Sequence, residues 1–411
     1  MTTDGWIRPA HVPEQLVKPF DFRTGIVDRP QEAVGALLDG PPVFFSPVLH
    51  HPLRKGVGAW IVVGAEETRE VLGNPDRFPS TGFGSYADSV GESWRLTPLE
   101  IDPPDHRQYR ALINPLLSAR RIKELEPKIR AWCVELIDRF ADRGHCRFAD
   151  EFARIFPTGL FLDIMGWSKA ELARFMDWEK RLLTSPTAEE RAAALRELLA
   201  YLRAQIAARR VSPTDDLITW AVNARVDDRP TTDDEIVGIV LLLYTAGLDT
   251  VTNSLSFVFR HLAEDQELQA QLRRPGADLA RTIEEMLRLY SPATVQRMAA
   301  VDTTIGDVAV KAGDLVTVST TGASRDPREF REPDSLHPER NPNPHFAFGF
   351  GVHRCAGAQL ARLDMAIAVE EWLRRIPTFR LEDGAQPRYI GGAIMALDEV
   401  PLVWSSEATP E

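Results

Sequence analysis

The sequence predicts a mainly α fold with a small β-rich part, and three stretches carry that expectation. Thr232-Asp-Asp-Glu235 is a capping-box pattern opening a segment without proline as far as Glu264. Behind Cys355, Leu360, Leu363 and Ile367 recur at helical spacing until Pro377 stops the pattern. Residues 115 to 230 are helix-rich, with long runs from Ala119 to Arg139 and from Ser168 to Arg210, broken mainly at Thr184-Ser-Pro-Thr-Ala188. Only short runs read as strands.

Taken in order, a Pro-rich arm leads to a plausible strand pair, residues 43–45 and 60–63, and then to a helix from Glu66 to Leu72. Residues 81 to 100, with Tyr86, Trp94 and Leu96, form a Gly/Ser-rich loop studded with aromatics, a type of segment that lines or closes pockets. His106 and Arg110 lie four apart on a helix expected after Pro104, so they share a face. The middle of the long helix reads Tyr244-Thr245-Ala246-Gly247-Leu248-Asp249-Thr250, a small pair followed by an acid and a hydroxyl in apolar surroundings. A carboxylate there is costly without partners. Glu285-x-x-Arg288 sits on a helix ending before Pro292, but the same spacing recurs at Glu92/Arg95, Glu151/Arg154 and Glu171/Arg174, so spacing alone decides nothing. Beyond Ala293, Val295 and Arg297, strand-like runs cover Thr303 to Val310 and Leu315 to Ser319.

The stretch from His345 to Leu360 holds three phenylalanines and two glycines ahead of one cysteine and a helix. A thiol at a helix N-terminus feels the positive end of the dipole, which favours the thiolate. Gly349, Gly351 and Gly357 are expected to leave the sulfur open to a flat ligand, with Phe348 and Phe350 walling it off from water. The plain alternative is a buried structural cysteine.

At 411 residues the length allows more than one domain, yet no Gly/Ser-rich or charged linker suggests a cut, so residues 1–411 are read as one domain. Hydrophobic content of 44% with 26% charged residues fits a soluble globular protein with an ample core. Three cysteines argue against a disulfide scaffold and for a reducing cytosol, hence a cytoplasmic location. The first residues contain no apolar signal-like run, and the stretch from Ile236 to Leu248 is too short to span a bilayer, so no membrane association is expected. A net charge of −12 argues against nucleic acid as a partner.

Phe348-x-x-Gly351-x-His353-x-Cys355-x-Gly357 resembles the haem-thiolate loop of the cytochrome P-450 monooxygenases, with every marker position filled. The resemblance extends over almost the whole chain and is greatest for the soluble bacterial, camphor-hydroxylating type. It implies the cytochrome P-450 fold, a helix-rich body around a buried haem b (iron protoporphyrin IX) with a small β-rich part. By the same resemblance Cys355 is the iron ligand. Phe348, Gly357, Ala246 and Gly247 border the haem, and His106, Arg110, Arg297 and His353 face its propionates. Asp249 and Thr250 relay protons to bound O2. Tyr86, Trp94, Leu96, Leu242, Thr245, Ala293, Val295 and Ile394 face a small hydrophobic substrate, a terpenoid or aromatic. Glu285, Arg288 and Arg340 form a structural triad.

Two positions depart from the camphor-hydroxylating pattern. Trp94 stands where a tyrosine binds the substrate ketone, although an indole N–H can still donate, and Val295 stands where that enzyme has an acid. Electrons are expected from a separate iron–sulfur ferredoxin and its flavin reductase, because no dinucleotide-binding glycine motif follows a strand. Arg107, Arg110, Arg120, Arg121 and Lys123 read either as a solvated helix face or as a docking patch for that acidic donor. Rival readings are a haem-thiolate isomerase or dehydratase needing no electron donor, a haem-based sensor, and a cysteine hydrolase.

Overall fold

The structure is a computed structural model that describes residues 6–23, 29–48, 58–81 and 86–405. The first five residues, on which the expected lack of a leader was partly read, and positions 82–85 of the aromatic loop lie outside the described residues.

The organising element is one helix, Asp233–Glu264, called the central helix below. Its start is built as the sequence predicts: the Glu235 N–H donates to the Thr232 hydroxyl at 3.2 Å, and the Thr232 N–H donates back to the Glu235 carboxylate at 2.7 Å. Asp233, Asp234 and Glu235 place negative charge at the positive end of the helix dipole. Two hydrophobic cores share this helix. Its first half, Ile236 to Leu248, packs with Leu172–Thr184, Ala188–Val211 and the Trp94–Leu96 segment. Its second half, Val251 to Ala263, packs with Ala119–Asp138, Ile155–Met165 and Ala358–Arg375.

Stacked rings consolidate the second core: Phe148 and Phe259 lie 4.1 Å apart at 24°, and Trp372 meets Phe259 edge-on at 5.0 Å. Gly238 meets the Arg95 carbonyl so closely that a Cβ could not fit, which lets the aromatic loop lie directly on the helix. Between the cores, Ala246 and Gly247 are exposed in a helix otherwise largely buried, and a Cβ on Gly247 would meet nothing within 4 Å. The central helix is long and apolar enough to cross a membrane by length and composition, but both its halves are covered by other helices.

The β-rich part is a four-stranded sheet in the order Val43–Ser46, Ala59–Val62, Leu315–Ser319, Thr294–Met298. Its central pair is parallel and the outer pairs antiparallel. The register sets Arg297 opposite Val316. The run from Thr303 to Val310 is not continuous: it folds into a hairpin of Thr303–Ile305 with Val308–Val310, turning at Gly306. Ala293 bridges to Ile394, which brings the C-terminal loop to the start of the strand carrying Arg297.

Candidate functional site

Cys355 emerges from the loop ahead of the helix Ala358–Arg375. Its N–H donates to the Phe348 carbonyl at 2.9 Å, which folds the loop back on itself, and Gly349 takes φ +67° to allow the turn. The thiol lies deep in the fold yet presents accessible surface, so it borders an interior space rather than packed side chains. This disfavours the structural-cysteine alternative, which describes Cys133 and Cys146 instead: both are buried, with burial pushing their thiols well up.

Three details of the loop differ from expectation. Gly357 is the N-cap and Ala358 the first helical residue, so Cys355 precedes the helix by more than a cap position. Burial raises its thiol above the usual range, and the Gly357 N–H, Arg110, Arg354 and Arg362 only partly offset that. Burial thus opposes the helix dipole here, and a coordinated metal would favour the thiolate. Gly351 does not free the sulfur; a Cβ there would collide with the Leu72 carbonyl, so it serves loop-to-helix packing. Phe350 is 39% exposed and leans on Gly73, so it does not shield the sulfur. The Phe348 ring lies under the Arg362 guanidinium at 4.5 Å.

Beside the thiol, four basic side chains converge from three elements. The His106 and His353 rings lie 4.4 Å apart at 62°, and Arg110, four residues after His106, donates to the Arg354 carbonyl at 3.1 Å. Arg297 is buried and, among the described residues, bonds only the Gln296 carbonyl, at 2.7 Å. Burial depresses His106 to about 4 and Arg297 to about 10. His106 Nε2 is buried with no partner among the described residues. One acid, Asp102, accepts from His353 at 3.1 Å and from the Ser80 N–H at 3.0 Å; burial works against its charge, but those bonds hold its carboxyl below the usual range.

An under-neutralised cluster of donors with an orphaned imidazole nitrogen calls for an anion. Two propionates carried by a flat ring against the open sulfur satisfy it, so the residues present fit an iron porphyrin. Cys355 would hold the iron, Arg110, Arg297 and the two histidines the carboxylates.

On the central helix, Thr250 donates its hydroxyl to the Ala246 carbonyl at 2.8 Å. Asp249 accepts from Asn253 Nδ2 at 2.7 Å, and burial pushes its carboxyl up. Thr245 donates to the Leu241 carbonyl at 2.9 Å. Tyr86 lies deep but not sealed; its phenol is pushed up to about 12 by burial and then by the Asp249 charge, so it lies within electrostatic reach of the central helix. Leu242, Ala293, Val295 and Ile394 are partly buried.

Trp94 corrects the expectation of a substrate-facing donor. It is 3% exposed, packed in the first core beside buried Leu96, and its indole N–H donates to Glu92 at 2.7 Å. Glu92 in turn binds Arg203 on Ala188–Val211. Trp94 thus ties the aromatic loop to a helix above the pocket. The basic stretch also divides. Arg110 turns inward, Arg120 and Arg121 stay exposed beside Glu124, and Lys123 lines a groove with Ile122, Glu126, Arg281, Glu284 and Arg362.

Sequence reasoning did not single out Asp102, Glu284 or Glu179. Asp102 lies 251 positions from His353, and no local pattern announces that pairing. Its place directly before Pro103-Pro104 and His106 is the one signal it had.

The sequence model of the family Cytochrome P450 matches residues 171–275 and 279–393. A probable cytochrome P450 127A1 of Sinorhizobium fredii is 38% identical over 405 residues, 97% of each chain. A steroid C26-monooxygenase of Mycobacterium tuberculosis is 34% identical over 317 residues, 75% of this chain and 85% of its own. The solved structure of cytochrome P450 CYP101C1 superposes with a TM-score of 0.87 at 30% identity, covering 97% of this chain and all of the other.

Proposed function

Because the chain belongs to the cytochrome P450 family, we propose that it is a cytoplasmic monooxygenase that hydroxylates a small, mainly apolar molecule, a terpenoid or aromatic. Its two electrons come from an iron–sulfur ferredoxin and its flavin reductase. The observation that carries this reading is the deep, accessible Cys355 thiol beside the basic cluster of His106, Arg110, Arg297 and His353. When bound through a cysteine thiolate, haem supplies O2 activation and O–O cleavage.

The chain's own residues do the rest. Arg297, Arg110 and His106 anchor the carboxylates and fix the ring's rotation. The gap at Ala246 and Gly247 leaves room for a diatomic molecule against the central helix. Asp249, whose carboxyl burial pushes up, carries protons towards that gap, and the Thr250 hydroxyl can swing from the Ala246 carbonyl to present its O–H there. Leu242, Val295, Ala293 and Ile394 exclude water from the substrate, while the Tyr86 phenol offers one polar contact.

Lys123, with Arg281 and Arg362, lines a groove suited to an acidic electron donor. The cysteine-hydrolase and sensor readings find no support in a thiol that burial pushes up and a chain matched along 97% of its length to a probable cytochrome P450.

The decisive experiment is the spectrum of the dithionite-reduced protein under carbon monoxide: a red-shifted Soret band is expected, and a colourless protein refutes the reading. Thr250→Ala should retain that band and still consume electrons, but release peroxide and lose about a hundredfold in product formation, the low end for a removed proton-transfer group. Unchanged product per electron would remove Thr250 from the relay. Substrate class is tested by screening small terpenes and aromatics for a spin-state shift, with sterols included because of the relative named for steroid oxidation.

A further inference from the structure

The C-terminal hairpin that carries Ile394 is held at two places. Tyr389–Ile390 pairs with Ala396–Leu397, so residues 391–395 form its tip. The first hold is the sheet: the Thr294 N–H and hydroxyl both donate to the Ala393 carbonyl, at 2.8 and 3.0 Å, and the Met395 N–H donates to the Pro292 carbonyl at 2.8 Å. Met395 and Leu397 are sealed in the second core. Ile394 alternates with Met395 and bridges antiparallel to Ala293, so it shares a face with Ala293, Val295 and the buried Arg297 of the basic cluster.

The second hold is the N-terminal segment. Val17 bridges to Phe45, and the Lys18 N–H donates to the Phe45 carbonyl at 3.0 Å. The Phe20 N–H donates to the Ser46 hydroxyl at 3.1 Å, which donates back to the Phe20 carbonyl at 2.6 Å. Residues 17–20 therefore lie along the edge of Val43–Ser46. Phe22, buried in the second core and edge-on to Phe20 at 4.9 Å, then meets the hairpin. Its carbonyl accepts the Tyr389 hydroxyl at 2.6 Å, and a Cβ on Gly391 would collide with the same oxygen.

We propose that Tyr389 is a positioning residue for substrate selection: by bonding Phe22 it makes the N-terminal segment a stop that sets where Ile394 stands in the substrate space. This rests on Ile394 lining that space, as proposed above.

The bonds at Ala393 and Met395 form a line about which the rest of the tip can tilt. The Tyr389 phenol and the Gly391 contact lie off that line, towards the preceding strand, and remove the tilt. Burial, and then the Asp21 charge, push the phenol well up, so it stays a donor across the ordinary pH range. A wall fixed before the substrate arrives spares the ordering cost of binding, and discrimination by shape follows from it.

Optical titration of imidazole and phenylimidazole into the purified, haem-loaded protein tests this without turnover. Both probes coordinate iron through the same azole nitrogen, so the ratio of their Kd values reads the room beside it. Tyr389→Phe should weaken phenylimidazole at least about threefold, a loss within the range of one net hydrogen bond, and leave imidazole and the reduced carbon-monoxide band as in wild type. Gly391→Ala, which forces the tip off Phe22, should do the same. Ile394→Ala should also weaken phenylimidazole, and adding Tyr389→Phe to it should change nothing further, because the phenol acts through Ile394.

A wild-type ratio in Tyr389→Phe, with Ile394→Ala altered, overturns the proposal and leaves Ile394 as wall. Additive losses in the double variant place the effect of Tyr389 elsewhere and also overturn it. A wild-type ratio in Ile394→Ala overturns both readings. Phenylalanine keeps the ring in its place, and Gly391→Ala probes the same contact should the first variant fold poorly.

Discussion

Cys355→Ser should abolish both the carbon-monoxide band and product formation, while the protein still folds. The structure separates these effects. The backbone N–H of Cys355, not its sulfur, closes the loop on Phe348, and the side chain borders open space, so shortening one bond and replacing sulfur by oxygen disturbs no packed neighbour. The hydroxyl can accept the Gly357 N–H as the sulfur does. What it cannot supply is a soft thiolate that donates electron density across the iron. The check is a pair of measurements on one sample, the reduced carbon-monoxide spectrum and a thermal unfolding curve. Full activity in the variant would refute the ligand assignment, and unfolding would show that the loop depends on sulfur for its shape.

What was legible in the sequence was whatever is encoded locally. The capping box at Thr232 names its helix because both partners lie three residues apart, and the Cys355 loop reads as a unit because its glycines and cysteine are contiguous. The helix break near Pro186 and the strands at 43–46 and 59–62 are of the same kind. Misreadings occur where tertiary contacts choose between orientations that the local pattern leaves equal. Phe350 and Phe348 look alike in sequence, but only Phe348 has the Arg362 guanidinium above it. Trp94 had an indole to offer a substrate, and the ion pair between Glu92 and Arg203, 111 residues apart, claimed it.

The balance of forces on the Cys355 thiol was hidden for a related reason. Dipole and burial act in opposite senses, and sequence shows the first but not the second.

Glu285→Gln should destabilise the fold by about 3–5 kcal/mol, the usual result of breaking a buried pair and stranding one charge. Glu285 and Arg288 are both fully buried. Arg288 donates to Glu285 through Nε at 2.9 Å and Nη2 at 2.8 Å, Arg340 adds Nε at 3.0 Å, and Asn343 donates at 2.9 Å. Burial alone would raise this carboxyl, but the two guanidiniums outweigh it and hold it below the usual range. Its stabilising contribution is therefore present above the unfolded carboxylate value and is lost as pH falls through the lower folded one.

The variant should accordingly differ most from wild type near neutral pH and least in acid. Arg288 also donates to the carbonyls of Ser324, Pro333 and Ser335, and Ser324 accepts the Phe346 N–H at 3.0 Å. Loosening the triad should therefore reach the cysteine loop and cost haem retention as well as stability. Replacing the pair together, Glu285→Leu with Arg288→Met, removes the stranded charge and should be milder than Glu285→Gln. A denaturation series in which the double variant is the worse of the two would mean that the three backbone carbonyls, rather than the ion pair, hold this corner of the fold.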